Sequence, residues 1–198
     1  RSGTDAAILN EIIEINPERL LDLGCGEGWL IRSLQKKIQC EFVGTDGSRR
    51  LVDYAKRADA HNTYKTLSYD VISNGGLREY GLFDVIVFNF ALFGQRIEEL
   101  ISATTAQLSE RGVLVIQTIH PWTVQGGEKY EDGWHMETFS GIDGRGWQPV
   151  PIFLRTLESW SQFMSKGGLS VHRIKEPIDP NSGLPLSLIF CCQRQQLA

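Results

Sequence analysis

The feature that most constrains the fold is an apolar segment that runs directly into a glycine-rich turn. The segment begins at Leu20, and glycines follow at every second position, at Gly24, Gly26 and Gly28, before helical spacing starts at Trp29. A buried strand, a tight turn and a helix N-terminus in this order are how α/β proteins hold nucleotide-like ligands. Glycine suits such a turn because the backbone can bend sharply and approach a ligand with no Cβ in the way.

The spacing of the glycines indicates which kind of ligand to expect. A dinucleotide fingerprint reads G-x-G-x-x-G, whereas this turn reads G-x-G-x-G and has Asp22 two residues before its first glycine. A carboxylate at this point is placed to accept hydrogen bonds from a cationic amine. We therefore expect a ligand that carries a positive charge rather than a pyrophosphate.

Apolar strands alternate with amphipathic helices over the first part of the chain. The predicted strands cover residues 19–23, 41–45, 63–68, 83–88 and 112–118. The predicted helices cover residues 4–15, 29–38, 49–60 and 95–108. Alternation of this kind predicts an α/β protein with a doubly wound, mostly parallel sheet and helices on both faces.

The alternation stops after the last of these strands. Residues 121–149 are rich in glycine and contain three of the five tryptophans, which predicts a long irregular insertion packed by its own side chains. A helix is expected over residues 156–166. Strands are then expected over 169–178 and 184–193, and the short turn between them predicts an antiparallel hairpin at the edge of the sheet.

A polar residue follows several of the predicted strands, at the sheet edge where ligands of doubly wound proteins lie. Asp46 is placed to bind both hydroxyls of a ribose, or else it caps the next helix. Asp70 is placed to accept from an adenine amino group, with Val71 against the ring, or else it is a solvent-facing turn residue. Asn89 is placed to hold the amino-acid end of a ligand.

Composition and charge exclude several classes of function. The formal net charge of −4 argues against a general nucleic-acid binder, which would show a basic face. No apolar run approaches the roughly 20 residues that a membrane span needs, and no signal peptide opens the chain. Since the first residue is Arg1 rather than Met, native N-terminal residues are expected to be missing.

The cysteines indicate a reducing compartment. The chain has four, and their positions show no zinc spacing. Cys191 and Cys192 are adjacent in a predicted strand and so point to opposite faces, which argues against a disulfide framework. We expect reduced thiols, a cytoplasmic location and no metal site.

The chain resembles the class I S-adenosylmethionine-dependent methyltransferases. Four pieces carry the resemblance: residues 21–28 with the glycine turn, 43–48, 83–87 and 108–115. It implies a Rossmann-like methyltransferase fold with seven strands, the last of them antiparallel and inserted between strands five and six. The length of the chain predicts a single domain over residues 1–198, and residues 121–150 are expected to be an acceptor-side insertion within it.

The resemblance assigns a cofactor, S-adenosyl-L-methionine, and its contacts. Asp22 and the glycine loop would hold the methionine portion, Asp46 the ribose, and Asp70 with Val71 the adenine. The full set of expected cofactor contacts is Asp22, Gly24, Cys25, Gly26, Asp46, Gly47, Ser48, Asp70, Val71, Asn89 and Phe90. Within the class, the chain is most similar to small-molecule enzymes of the quinone-biosynthesis type, with Ile119-His120-Pro121 after strand five and Glu176-Pro177 after strand six.

Methyl transfer from a sulfonium needs at most a general base for the acceptor. His120 is the first candidate, because it follows strand five at the ligand edge and histidine titrates near neutral pH. The alternative is a histidine that caps the turn before Pro121. His135 in the insertion is a second candidate.

Aromatic residues of the insertion are expected to line the acceptor pocket, although some of them are expected to form a small core of their own. They are Trp122, Tyr130, Trp134, Phe139 and Trp147. Arg155 is placed either to pair with a carboxylate of the acceptor or to form a structural ion pair with Glu158.

The acceptor is expected to be a small molecule or a protein. Enzymes that methylate exocyclic amines of nucleic acids carry an Asp/Asn-Pro-Pro-aromatic motif after strand four, and here the sequence from Asn89 is Asn-Phe-Ala-Leu. No cysteine follows strand four or five, so a covalent cytosine mechanism lacks its nucleophile. Two other functions remain open at this point: a nicotinamide-dependent oxidoreductase and a non-catalytic, methyltransferase-like binding protein.

Overall fold

The computed structural model describes residues 2–122, 129–137 and 148–195. Its strands are β1 (Arg19–Leu23), β2 (Glu41–Asp46), β3 (Thr63–Thr66), β4 (Phe83–Asn89), β5 (Leu108–Ile119), β6 (Gly133–Glu137), β7 (Val150–Leu154), β8 (Leu169–Lys175) and β9 (Ser187–Arg194). Its α-helices are α1 (Ser2–Ile15), α2 (Trp29–Leu34), α3 (Arg49–Ala58), α4 (Tyr69–Ser73), α5 (Glu98–Thr105) and α6 (Leu157–Lys166), with a 3₁₀ turn at Arg78–Tyr80.

Seven strands form one sheet in the order β3-β2-β1-β4-β5-β9-β8. The first five strands pair in parallel, and β9 runs antiparallel between β5 and β8. This arrangement confirms the predicted doubly wound fold and its antiparallel C-terminal pair. Because β1, β2, β4 and β5 are parallel, their carboxyl ends meet at one edge of the sheet.

Side chains of the central strands alternate between two apolar layers, as expected for a sheet covered on both sides. Leu20 of β1 packs in the layer with α1, α2 and α3, which we call the α1 face. Leu21, the next residue, packs in the layer with α4, α5 and α6, the α6 face. Cys191 and Cys192 likewise lie in different layers, and all four cysteines are free thiols.

A buried carboxylate fixes α1 to the sheet. Glu11 is fully buried and forms ion pairs with Arg173 and with Lys175 of β8, the latter at 2.5 Å. The Cys191 thiol donates to the same carboxylate at 3.1 Å. Burial opposes ionisation, but the hydrogen bonds from Lys175 and Cys191 and the two cationic charges lower the pKa of Glu11 overall.

Apart from shifted ends of helices and strands, two features differ from the expectations. The insertion is not wholly irregular, because β6 and β7 form an antiparallel hairpin that pairs Trp134 with Phe153 as a separate two-stranded sheet. Asp70 does not end a strand: β3 stops at Thr66, and Ser68 caps α4, placing Asp70 in the first turn of that helix. Among the described residues, no helix has both the length and the apolar character needed to cross a membrane.

Candidate functional site

The glycine turn folds back onto the end of β2. The backbone N–H groups of Gly24 and Cys25 both donate to the Thr45 carbonyl, at 2.8 and 2.9 Å. Gly24 has a φ of 77°, and a Cβ there would lie 2.6 Å from the Cβ of Ala91. Gly26 also has positive φ, 53°, but a Cβ on it would meet nothing within 4 Å. Gly24 therefore permits a close approach between two loops, whereas Gly26 borders open space.

Asp46 ties the glycine turn to the start of α3. Its Oδ2 accepts from the Gly26 N–H at 3.0 Å, and its Oδ1 accepts from the Ser48 N–H at 2.7 Å. The helix cap itself is Ser48, whose hydroxyl accepts from the Leu51 N–H. The carboxylate is thus held rigidly at the edge of the sheet, and each oxygen keeps a second lone pair for a ligand.

Asp22 is a buried acid with no cationic partner among the described residues. It is 1% exposed, and its Oδ1 has no hydrogen-bond partner in the part of the chain that the structure describes. Burial, and secondarily repulsion from Asp46, raises the pKa of Asp22 to about 7. A carboxyl group held in this way is a ready partner for a positively charged group.

Unpartnered polar atoms are concentrated at the carboxyl edge. Buried side-chain atoms there that lack a hydrogen-bond partner among the described residues are Asp22 Oδ1, Thr45 Oγ1, Asn89 Oδ1, Gln117 Oε1 and His120 Nδ1. Such atoms cost free energy unless a ligand or water satisfies them. The residues at this edge therefore fit a polar ligand with hydrogen-bond donors, which is what an ammonium and ribose group would supply. Sequence reasoning missed Gln117; the available signal was a single amide inside an apolar strand.

The remaining expected cofactor contacts lie around the same edge. Asp70 and Val71 are exposed in α4, beside the end of β3. Phe90 directly follows β4 with a φ of 51°, unusual for a residue with a side chain, and its N–H donates to the Gln117 carbonyl at 2.9 Å. The hydroxyl of Tyr69 donates to the Ala91 carbonyl at 3.0 Å, which closes the loop over Gly24.

His120 and Glu176 form a pair at the ends of β5 and β8. The His120 Nε2 lies 2.9 Å from Glu176 Oε1, and the histidine is 8% exposed. An ionised carboxylate only accepts hydrogen bonds, so Nε2 donates in this pair, and a neutral ring has its lone pair on Nδ1. The lone pair of Nδ1, which has no partner among the described residues, is then available as a proton acceptor.

The aromatic residues of the insertion fall into two groups. The Trp122 ring packs edge-on against Tyr130 with centroids 5.8 Å apart, and Tyr130 in turn accepts from the Leu157 N–H. Trp134 of β6 packs against Phe153 at 5.5 Å and is 60% exposed. The expected pocket residues Phe139 and Trp147 lie outside the described residues. His135 lies on β6 opposite Ile152, partly buried.

Arg155 makes its described contacts with backbone carbonyls and aromatic rings rather than with Glu158. Its guanidinium donates to the carbonyls of Gly94, at 3.1 Å, and Gln95. It also lies over the rings of Phe153, Trp160 and Phe163 at 5.0–5.2 Å. Burial lowers the pKa of the guanidinium, against the opposing charges of Glu98 and Asp132. These contacts hold the loop after β4 against the start of α6.

A cavity of about 320 Å³ opens beside Arg155, between α5 and α6. Its lining includes Glu98, Asp132 and Lys166 but no residue of the glycine turn or of the strand ends. Among the described residues, no group of three or more histidine, cysteine or acidic side chains is placed to hold a metal ion.

Comparisons with known proteins agree with this geometry. Residues 6–173 match the family model described as a methyltransferase domain. A demethylmenaquinone methyltransferase from Thermotoga maritima is 28% identical over 125 residues, covering 58% of this chain and 49% of the relative. A protein-lysine N-methyltransferase, efm4, from Schizosaccharomyces pombe is 26% identical over 191 residues, covering 86% of this chain and 74% of the relative. A crystal structure of an S-adenosylmethionine-dependent methyltransferase from Mesorhizobium loti superposes with a TM-score of 0.69 at 19% identity, covering 96% of this chain and 98% of the other.

Proposed function

Because the chain belongs to the S-adenosylmethionine-dependent methyltransferases, with S-adenosyl-L-methionine as cofactor, we propose that it methylates a small, partly apolar metabolite. The observation that supports methyl transfer is the set of unpartnered acceptor atoms around Asp22 at the carboxyl edge of the sheet, which suit the methyl donor. The similarity to a demethylmenaquinone methyltransferase supports an acceptor of this kind. Family membership also favours methyl transfer over the nicotinamide oxidoreductase considered above.

Different residues of the site contact different parts of the cofactor. Asp22 and the glycine turn take the amino-acid end, where a buried carboxylate pairs with an ammonium group. Asp46 takes the ribose hydroxyls with its free lone pairs, and Asp70 with Val71 takes the adenine. Asn89 and Phe90 complete the amino-acid end, and Gly47 and Ser48 the ribose end. When bound, the cofactor supplies a methyl group on a positively charged sulfur, and the protein aligns the acceptor with it.

His120 serves as the general base for the acceptor. Glu176 fixes the ring through Nε2, which leaves Nδ1 to take a proton from an acceptor hydroxyl, amine or enol. The arrangement of a base oriented by a carboxylate is a recurring solution in enzymes. His120→Ala is expected to lower kcat by about 100-fold or more while leaving the affinity for S-adenosylhomocysteine unchanged. A variant in which kcat and this affinity fall by the same factor would exclude the base role.

The insertion supplies the acceptor side of a single domain. Residues 121–150 contain exposed aromatic side chains, among them Trp122 and Trp134, which suit an apolar or planar acceptor. We place Tyr130 and Trp147 in the same group on the basis of the sequence. Four free cysteines support a cytoplasmic location.

Two measurements test the proposal. Calorimetry with S-adenosylhomocysteine is expected to give saturable binding, and Asp46→Ala is expected to weaken it strongly; no binding, or no effect of the substitution, would refute the assigned site. NADH titration followed by fluorescence is expected to give no saturable binding, because the glycine spacing does not suit a dinucleotide.

Turnover then distinguishes the acceptor classes. Release of S-adenosylhomocysteine is followed with a panel of hydroxylated and amine-containing metabolites and, separately, with protein substrates that carry lysine. The protein arm is included because a protein-lysine methyltransferase is among the relatives. Turnover with proteins alone would overturn the metabolite proposal, and binding without any turnover would favour a non-catalytic role.

A further inference from the structure

Gln117 has a buried amide side chain at the carboxyl edge of the sheet, and none of the roles expected from the sequence is assigned to it. It is 1% exposed in β5, where the residues before it, from Val113 to Ile116, are apolar. Alternation along β5 places it on the α1 face with Val115. Its register partner on β4 is Asn89, whose Oδ1 is also buried and unpartnered among the described residues.

The hydrogen bonds of the Gln117 amide fix its orientation. The Nε2 donates to the Thr4 carbonyl of α1 at 3.1 Å and to the Ser187 hydroxyl of β9 at 2.9 Å. A backbone carbonyl only accepts hydrogen bonds, so the nitrogen end must face Thr4. Both N–H groups are then used, and Oε1 is the free end of the amide, with no partner among the described residues.

Three unpartnered oxygens therefore occupy the same face of three neighbouring strands. Asp22 lies on β1 opposite Val87, and Asn89 follows two residues later on β4, directly across from Gln117 on β5. One oxygen belongs to an acid, the second to the Asn89 side chain, and the third is an oriented amide carbonyl. A group with one positive charge and several N–H donors satisfies such a set, and a primary ammonium has three.

We propose that Gln117 Oε1 accepts a hydrogen bond from the primary ammonium group of the methyl donor, beside Asp22 and Asn89. The proposal rests on the proposed function, since it assigns a further binding residue to the same cofactor site. It gives Gln117 a direct role, whereas Ser187 and Thr4 act only by positioning its amide.

Three ligands distinguish the binding of the ammonium group from the binding of the rest of the cofactor. S-adenosylhomocysteine carries both the amine and the carboxylate, its decarboxylated analogue keeps only the amine, and 5′-methylthioadenosine lacks both. Calorimetry is carried out with the wild-type chain, with Gln117→Met, and with Gln193→Met as a matched control. Gln193 also lies in the sheet, but its amide donates to the Arg111 carbonyl at 3.5 Å, at the opposite end of β5.

Gln117→Met is expected to weaken both amine-containing ligands by the same factor, about tenfold or more, and to leave 5′-methylthioadenosine unchanged. Gln193→Met is expected to change none of the three. Circular dichroism checks that each variant is folded. If Gln117→Met does not fold, Gln117→Asn, which retracts the amide by one carbon, is expected to give the same selective loss.

The remaining outcomes overturn the inference. Equal weakening of all three ligands would assign Gln117 a structural role, and weakening of S-adenosylhomocysteine alone would assign it to the carboxylate. Unchanged affinities would remove it from the site while leaving the proposed function intact. Absence of binding by the wild-type chain would instead refute the proposed function and this inference with it.

Discussion

At the level of single residues, the charge of the site depends on Asp22. A folded-state pKa of about 7, against 3.8 for an ordinary aspartate, means that the folded protein binds this proton more tightly than the unfolded chain. Stability from this group is therefore complete below about pH 4 and is lost as the pH rises through 7. The cost of ionising Asp22 is relieved when a cation pairs with it.

We expect Asp22→Asn to remove this pH dependence in the ligand-free protein. The free energy of unfolding of the wild type relative to the variant should fall by on the order of 3 kcal/mol between pH 4 and pH 8, since one pKa unit corresponds to about 1.4 kcal/mol. Urea titrations at several pH values measure the difference. Parallel pH profiles for the two proteins would contradict the environment assigned to Asp22.

The glycine turn can be tested by two substitutions that differ only in the space available. Gly24→Ala brings a methyl group within 2.6 Å of Ala91 at positive φ, whereas Gly26→Ala imposes positive φ alone. We expect Gly26→Ala to cost about 1 kcal/mol and Gly24→Ala about 3 kcal/mol, because overlap adds to backbone strain. Thermal unfolding of the ligand-free proteins measures both. Equal losses would mean that the loop carrying Ala91 moves aside freely.

At the level of secondary-structure elements, α1 is joined to the far edge of the sheet by charge. Glu11 pairs with two cations of β8 and also lies against Cys191, while Glu14, one turn later, pairs with the same cations at the surface. This attachment keeps the N-terminal part of α1, including the Thr4 carbonyl, over Gln117. The helix thus covers the site as well as the core.

Glu11→Gln is expected to destabilise the protein by about 2 kcal/mol at pH 7, since the buried negative charge that pairs with two cations is lost. The lowered pKa of Glu11 means that its contribution is present above about pH 4.5, the ordinary value, and is lost as the pH falls through the folded-state value. The difference from wild type should therefore shrink in acid. Glu14→Gln, at the exposed end of the same cluster, should cost much less; an equal cost would contradict the role of burial.

The elements that sequence reasoning predicted are those whose pattern is local. The strands at residues 83–88 and 112–118 are continuous apolar runs, as parallel strands buried on both faces must be. The hairpin of β6 and β7 was not predicted, because its strands are 12 residues apart in the chain and Trp134, His135 and Met136 show no clear apolar side. The prediction extends the third strand to residue 68, so that Asp70 follows its end, because the short β3, with only Tyr64 buried, carries too weak a pattern to mark where it stops.

For the site, too, residues in local sequence motifs can be predicted, whereas residues that depend on distant contacts cannot. The sequence alone indicates Asp22, Gly24 and Asp46, because each lies at or just after the end of an apolar strand, in a motif whose residues are neighbours in the chain. Gln117 was missed because its importance depends on Thr4 and Ser187, residues more than 65 positions away in the chain. A single amide in an apolar strand is the one hint that the sequence offers. The fold is needed to show that its oxygen has no hydrogen-bond partner among the described residues.

At the level of the whole molecule, the sheet order places the most stable part of the protein next to the ligand edge. β2, β1, β4, β5 and β9 are each paired on both sides, whereas β6 and β7 form a separate two-stranded sheet. Amide hydrogen exchange should accordingly be slowest in the central strands and fast in the hairpin. Backbone amides in the loops at the carboxyl edge lie outside both sheets, so strand pairing does not slow their exchange.

Hydrogen exchange with and without S-adenosylhomocysteine therefore maps the site on the intact chain. We expect added protection at residues 24–28, 46–48 and 69–71, because the ligand contacts these loops and stabilises the conformations that hold it. The hairpin at 133–137 and 150–154 should change little, since we propose that it lies on the acceptor side, which this ligand leaves empty. Mass spectrometry of peptic peptides measures both regions in one experiment. Protection concentrated on the hairpin instead would place the cofactor against the insertion and contradict the assigned site.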